Sequence, residues 1–402
     1  RCKPHPRTAD QCTTDQHTTV NPMKFRTRAI HVGSEPDSTG AVVPPIYLAT
    51  TYVQPGPGDW GAFDYSRSGS PSRSRVEKAI ANLEGAAGSL AFSSGMAATH
   101  CAMGLLESGD HIVAGCDIYG GTYRLLHKIC NRNRIDVTLV HADDAANIAA
   151  AIRPETKMVW VETIGNPLMS VPDFEAISQV TRAANVLFAV DSTFVPPSIF
   201  RPLQAGADIV MHSATKYFGG HSDCLAGALS AKTPELHQRL YFIQNATGAV
   251  LGGLECHLLH RGIKTMELRV REQSKSALLI AHWLEQHPRV RRVLFPGLSS
   301  HPHHQRAKQY FGEQFGAMVS FDIDGDIDAA KRVCKGTEIF GLAVSCGAVE
   351  SLIEQPATMS HASYDPAARA KAGITDSLVR IAVGLEDPED LIEDLSQALA
   401  KI

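Results

Sequence analysis

The chain has 402 residues, 44 % of them hydrophobic, and a formal net charge of −4 at neutral pH. That length allows two domains around a large core, and the hydrophobic share is that of a globular chain. The slight acidity gives no footing for nucleic acid or an anionic membrane surface, and no apolar run approaches the roughly 18 residues that span a bilayer.

Residues 1–22 are polar and irregular and lack the apolar segment of a secretory signal, so Met23 is a candidate native start preceded by a tail. Nine cysteines, an odd number with no C-x-x-C pair, point to reduced thiols in a cytoplasmic setting rather than a disulfide framework, and Cys346 reads as a packed small residue. Residues 24–67 show no sustained period, are rich in glycine and proline, and finish in Tyr65-Ser66-Arg67. A loop of that length suggests an arm laid on a neighbouring subunit.

From about residue 74 strand and helix patterns alternate. A helix is expected over 74–83, a strand over 88–92 and a helix over 97–106, with Ser93-Ser94-Gly95-Met96 at the turn between the last two. A strand, a glycine turn and a helix start together form an anion site, because free backbone N–H groups and the helix dipole face the ligand. The tetrapeptide alone is a weak signal. Further strands are expected over 111–115, 135–140, 158–161, 186–190 and 207–211, with helices over 143–152 and over 171–184, the latter started by Pro172. Ser94, Tyr119, Glu162, Asp191 and Ser213 each follow one of these strands. Open parallel sheets bind ligands at the carboxyl ends of their strands, so one pocket is implied, within a mostly parallel sheet covered on both faces.

The segment 207–229 concentrates the chemistry. Lys216 follows the hydroxyls of Ser213 and Thr215 and precedes Gly219 and Gly220, which let the backbone approach a bulky group. Its apolar flanks favour a partly desolvated, nucleophilic amine, as a Schiff base to pyridoxal phosphate needs. Asp191 closes an uninterrupted apolar strand with Thr193 close behind, and suits the anion that keeps a pyridine nitrogen protonated.

Beyond residue 230, helices are expected over 234–246 and 267–286, with Val270, Ala277, Ile280 and Leu284 on one face of the second. Strands follow over 293–295, 317–323, 339–345 and 378–383, and a last helix opens with a capping Asp387 ahead of Pro388. The division is an arm over 1–67, a large domain over 68–265 and a smaller α/β domain over 266–402. Arg380 lies in an apolar strand, which makes it either half of a buried ion pair or a clamp for a carboxylate. His301, His303 and His304 lack the spacing and companions of a closed metal set and are expected to be solvated, with no metal.

Ser213-Ala214-Thr215-Lys216, followed by Gly219 and His221-Ser222-Asp223, resembles the lysine segment of the pyridoxal-phosphate enzymes of cysteine and methionine metabolism. Tyr65-Ser66-Arg67 with its continuation to Arg73 supports the same resemblance, which runs from Phe25 to the C-terminus. That family comprises cystathionine γ-synthases, cystathionine β- and γ-lyases and methionine γ-lyases. The resemblance implies an aspartate-aminotransferase-like (fold type I) large α/β domain with a smaller C-terminal α/β domain. It implies pyridoxal phosphate on Lys216, its phosphate held around Ser94, Gly95, Met96, Ser213 and Thr215, and Tyr65 and Arg67 supplied by a neighbouring subunit of a dimer of dimers. Tyr119 is implied to stack on the ring and move protons, Asn166 to bond the phenolic oxygen, and Asp191 with Thr193 to serve the ring nitrogen. Arg380 is implied to grip the α-carboxylate of an amino-acid substrate, with Ser345, Ser360 and Glu162 near it.

Some positions depart from the family pattern or discriminate within it. Ile164-Gly165 stands where the family usually has proline and threonine. Gly121 occupies a position where methionine γ-lyases place a cysteine. Val344 replaces a glutamate common in cystathionine γ-lyases and γ-synthases and resembles the valine of plant-type cystathionine β-lyases, which methionine γ-lyases share, and residues 241–248 and 262–266 look β-lyase-like. The expected activity is therefore a carbon–sulfur lyase cleaving L-cystathionine by β-elimination to homocysteine, pyruvate and ammonia. Behind it stand γ-elimination to cysteine, 2-oxobutyrate and ammonia, and then γ-synthase or methionine γ-lyase chemistry. An inactive cofactor-binding or scaffold protein is disfavoured, because Lys216, Asp191, Tyr119 and Arg380 are all intact.

Overall fold

Seven short apolar strands build the larger of two sheets in the computed structural model, which describes residues 23–362, 364 and 366–402; the expectations for residues 1–22 lie outside the described residues. The strands are β1 (Gly88–Phe92), β2 (His111–Gly115), β3 (Asp136–Val140), β4 (Thr156–Glu162), β5 (Leu187–Asp191), β6 (Ile209–His212) and β7 (Gly227–Ala231). They lie in the order β1-β7-β6-β5-β4-β2-β3. The run from β6 to β3 is parallel throughout, while β7 is antiparallel to both of its neighbours. Successive side chains alternate between faces. Val159, Val161, Phe188, Val190 and Val210 enter one core, and Met158, Trp160, Ala189, Ile209 and Met211 enter the core on the other side. With both faces covered, neither side tolerates polar residues, which is why these strands read as unbroken apolar runs.

The helices follow the sequence pattern with informative shifts. Pro71–Glu84 starts a turn earlier than expected, because the Ser70 hydroxyl accepts the Arg73 N–H and Pro71 takes the first helical position. Phe174–Ala184 begins after Asp173, whose carboxylate accepts the Ala176 N–H, so Pro172 precedes the helix and does not start it. Pro388–Leu399 is a helix, but the Asp387 side chain makes no capping bond, contrary to expectation. Gly253–Ile263 is a helix that the pattern did not announce. The glycines at its start look like a turn.

Five further strands form the second sheet: β8 (Val290–Leu294), β9 (Met318–Ile323), β10 (Gly341–Leu342), β11 (Leu352–Glu354) and β12 (Leu378–Ala382), in the order β10-β11-β12-β9-β8. All pairs are antiparallel except β10–β11. The strand expected over 339–345 is therefore cut to two paired residues, and the chain peels away to bring Ser345 to the cavity described below. The 20-residue helix Met266–Glu285 buries the expected Val270, Ala277, Ile280 and Leu284.

The histidines near residue 300 are not solvated, which corrects the expectation. His301 is 5 % exposed and accepts the His303 N–H, and its burial beside two other imidazoles lowers it to about 4. His303 accepts the Val171 N–H at 3.0 Å, and His304 bonds the Pro296 carbonyl at 2.9 Å. Among the described residues no helix is long and apolar enough to cross a membrane, and the cysteines, Cys346 included, are free thiols.

Candidate active site

The carboxyl ends of β4, β5 and β6 open into a cavity of about 190 Å³, closed from the far side by residues of the second sheet. Lys216 lies on a wide turn, Thr215–Gly219, directly after β6, with φ −83° and ψ −122° that break the helical path. The turn is braced from outside. Arg269 donates to the Tyr217 and Gly262 carbonyls at 2.9 and 2.8 Å, and burial pulls its guanidinium down to about 10. Gly262 can lie this close only without a side chain, since a Cβ there would stand 2.2 Å from the Gly219 oxygen. The partly buried Lys216 amine donates to the Ser345 hydroxyl at 2.8 Å. Ser345 is held at φ 146°, a backbone state costing about 1–3 kcal/mol that persists where the surroundings impose it.

Glu162 and Asp191 are register partners on the parallel strands β4 and β5, so their side chains share a face. They are 8 % and 5 % exposed. Glu162 accepts the Tyr119 N–H at 2.6 Å, and Asp191 accepts the Thr193 N–H at 3.0 Å. Burial, reinforced by the Asp191 charge, pushes the Glu162 carboxyl well above the usual range; burial also raises Asp191, against the Thr193 hydrogen bonds and the field of His212. A third buried carboxylate, Asp117, is pushed up to about 6 by burial against its bond from Ser170. Carboxylates gathered this way favour a positively charged group, and a protonated pyridine fits that demand.

At the next corner Ser94 caps the helix Gly95–Met103 by accepting the Ala97 N–H at 3.1 Å. The first-turn amides of Gly95 and Met96 lack intrahelical partners and form an anion cradle. Gly95 is required here, because a Cβ would meet the Ser213 side chain at 2.8 Å. The Ser213 N–H bonds the Thr193 hydroxyl at 2.9 Å. The Thr215 hydroxyl lines the cavity but is engaged by the Ala226 backbone, donating to its carbonyl and accepting its N–H. Tyr119, 44 % exposed, stands at the mouth. A Cβ on Gly121 would come within 2.4 Å of its ring and 3.0 Å of the Met96 sulfur, so a glycine there leaves the ring its place. An anion cradle, a carboxylate cluster and a lysine around one cavity fit pyridoxal phosphate.

The second sheet supplies Arg380, 5 % exposed on β12. It donates to the Asn166 amide oxygen at 2.7 Å and pairs with Glu354 at 2.9 Å, while its Nε is buried without a partner. The ion pair and the exposure to the cavity therefore coexist. The Ser360 hydroxyl donates to Glu354 at 2.6 Å. Tyr65 and Arg67 are not in the walls of this cavity. Both are exposed, with the guanidinium 5.4 Å from the tyrosine ring. A larger cleft of about 430 Å³, between the helix Pro71–Glu84 and β1, contains none of the sequence-predicted site residues.

Sequence reasoning missed several wall residues. Ile164, Phe194, Met211 and Leu225 line the cavity, and Glu354 and His361 stand behind it. Phe194 had a usable signal, since it follows Thr193 directly, and its ring lies 5.8 Å from the Arg380 guanidinium. Glu354 had none.

Residues 26–400 match the family described as Cys/Met metabolism PLP-dependent enzymes. The chain is 46 % identical to a cystathionine γ-lyase of Bacillus subtilis over 94 % of its own length and 100 % of that protein. It is 43 % identical to a cystathionine β-lyase of Coxiella burnetii, over 93 % and 97 % respectively. The crystal structure of cystathionine γ-lyase from Lactobacillus plantarum complexed with L-serine superposes with a TM-score of 0.91 at 40 % identity, covering 94 % of this chain and 99 % of that one.

Proposed function

The chain belongs to the pyridoxal-phosphate-dependent enzymes of cysteine and methionine metabolism, and within that family we propose that it is an L-cystathionine lyase that eliminates at Cβ. The products are homocysteine, pyruvate and ammonia. The observation that carries the regiochemistry is Val344, an exposed apolar residue in the cavity wall next to Ser345. γ-Elimination needs a second proton moved at Cβ. A valine in place of the glutamate common in γ-type members leaves that side of the cavity without a carboxylate.

Bound pyridoxal phosphate supplies the electron sink for the pair left when Cα loses its proton. The remaining roles fall to the chain. Gly95 and Met96 amides, with the Ser94 and Ser213 hydroxyls, would hold the phosphate, while Thr215, whose hydroxyl proton goes to the Ala226 carbonyl, would only line its cradle. Asp191, steadied by Thr193, keeps a negative charge at the buried end of the site. Asn166 and Arg380 face the substrate side, where Arg380 offers a planar fork to the α-carboxylate. Lys216 takes the Cα proton, guided by its bond to Ser345, and can then pass a proton to the departing thiolate. Glu162 anchors the backbone of Tyr119, whose ring covers the site.

The exposure of Tyr65 and Arg67 supports their service to a neighbouring subunit in a dimer of dimers. Val42, Val43, Leu48, Val53 and Trp60, exposed on the same arm, supply an apolar surface for that contact.

A second reading, γ-elimination, is favoured by seven relatives named cystathionine γ-lyase at 43–46 % identity, against one named cystathionine β-lyase. The keto acid released from L,L-cystathionine by the cofactor-loaded protein separates the two. Pyruvate is expected; predominantly 2-oxobutyrate would overturn the β-elimination reading.

A further inference from the structure

Arg380 and four other residues stand in a ring of polar contacts. Its Nη2 meets Glu354 Oε1 at 2.9 Å, and the same oxygen accepts the Ser360 hydroxyl at 2.6 Å. His361, held neutral by burial, donates its Nε2–H to the Asn166 carbonyl at 3.0 Å, and its bare Nδ1 stands 2.9 Å from the Ser360 oxygen as an acceptor competing with Glu354 for the one hydroxyl proton. The Asn166 amide oxygen, at 2.7 Å from Arg380 Nη1, closes the ring. Glu354 and His361 are 1 % and 0 % exposed. Asn166 comes from the segment after β4 and the other four from the second sheet and the loop beyond β11, so the ring ties the two halves of the site together.

The strand register explains why the ring forms. Glu354 on β11 and Arg380 on β12 are direct antiparallel partners, which puts both side chains on one face at the closest cross-strand spacing. On the other flank Arg380 is paired with Ser320 of β9, whose hydroxyl makes no bond, so Glu354 is the only cross-strand counter-charge among the described residues. A guanidinium on a central strand between Val379 and Ile381 needs such a charge whether or not substrate is present. It carries five N–H donors in a rigid fork. One goes to Asn166 and one to Glu354, leaving Nε buried without a partner and further Nη protons for a planar two-oxygen anion.

We propose that Glu354, held by the Ser360 hydroxyl, is a positioning residue that holds Arg380 in the orientation that receives the substrate's α-carboxylate. The inference rests on the reading of Arg380 as the carboxylate clamp. Because the fork is already aligned and neutralised, no side chain has to reorganise when the carboxylate arrives, and binding energy is not lost to ordering it. Glu354 touches neither the substrate nor the transferred proton, so its loss weakens binding and spares the chemical step.

The test compares three variants of the holoenzyme, Glu354→Gln, Ser360→Ala and Arg380→Ala. Two readouts are taken: the equilibrium binding of glycine, which has the carboxylate but no leaving group, followed by cofactor absorbance; and kcat and KM for L-cystathionine. Glu354→Gln is expected to raise the glycine Kd and the KM about tenfold, the weight of one charge-assisted bond, with kcat and resting cofactor absorbance preserved. Ser360→Ala, which keeps the ion pair, is expected to raise both about threefold, and it carries the test if Glu354→Gln does not fold. Unchanged glycine binding in these variants alongside its loss in Arg380→Ala overturns the positioning role alone. Wild-type glycine binding in Arg380→Ala overturns the clamp reading beneath it. A fall in kcat at constant KM in Glu354→Gln also overturns the proposal, since it would place Glu354 in the chemical step.

Discussion

The two walls of the cavity hold their charge in different states of readiness. On the large sheet Glu162 and Asp191 lie side by side, buried and bonded to the N–H groups of Tyr119 and Thr193 rather than to a cation. On the second sheet Arg380 is already neutralised by Glu354. One wall is built against the preference of its own carboxylates, which burial pushes toward the neutral form; the other is settled before any ligand arrives. The difference shows where ligand binding contributes most. A cationic ring relieves the large-sheet wall, whereas a carboxylate meets on the second-sheet wall a guanidinium that it must share with Glu354.

Among the described residues Lys216 is the lysine or arginine that the large-sheet wall contributes to the cavity. Lys216→Ala is expected to lower turnover of L-cystathionine on the order of 10³-fold, since it removes the amine proposed to carry the Cα proton. The absorbance band of lysine-bound cofactor should vanish, with a melting temperature close to that of the parent. Turnover within tenfold of the parent would remove Lys216 from the chemistry.

A sharper contrast comes from pH. The raised Glu162 carboxyl stays protonated in the folded chain at pH values where the unfolded chain, near its ordinary 4.5, has released that proton. The folded state then binds more protons than the unfolded one, so stability falls as pH rises from about 4.5 towards the raised value. Glu162→Gln cannot ionise, and its amide oxygen can still accept the Tyr119 N–H. Cofactor-free Glu162→Gln should therefore match the parent at acid pH and exceed it by about 1 kcal/mol at neutral pH, read by denaturant unfolding. The gap should narrow in holoenzyme, where the ring's positive charge favours ionised carboxylates. Parallel stability curves for parent and variant across the whole range would show that Glu162 is ionised in the fold.

The two walls also differ in how much of them the sequence discloses. The large sheet is legible because its strands are buried on both faces, run apolar from end to end, and finish in residues that carry chemistry: Ser94 after β1, Glu162 on β4, Asp191 on β5, Lys216 after β6. Each of these could be placed from a local pattern. The second sheet offers less, since β10 and β11 have two and three residues, too few to establish a period of two. Glu354 looks like an ordinary charge between Ile353 and Gln355, and only its pairing with Arg380 across the sheet gives it meaning. His301, His303 and His304 misled for a related reason. Proline and histidine together resemble an exposed loop, and the partners that engage His303, Val171 and Asp143, are far away in the chain. The helix Gly253–Ile263 was hidden by the glycines at its start, where Gly253 lies against the Tyr47 carbonyl; near its other end Gly262 lets it approach the lysine turn.

The smallest expected effect concerns the rim where the two walls meet. Val344 is 54 % exposed, so Val344→Glu should change stability by no more than about 0.5 kcal/mol. A carboxylate there would sit beside Ser345, and Ser345 already bonds the Lys216 amine. It would provide a proton acceptor on the side of the cavity facing the substrate's outer carbons, where β-elimination needs none and γ-elimination can use one. The expected result is a several-fold rise in the share of 2-oxobutyrate among the keto acids from L-cystathionine, with total turnover reduced less than tenfold, well below the Lys216→Ala effect. An unchanged ratio at retained turnover would mean that position 344 does not set the site of elimination. The choice between Cβ and Cγ would then rest with groups deeper in the cavity, with the proton traffic between Lys216 and Tyr119 as the place to look.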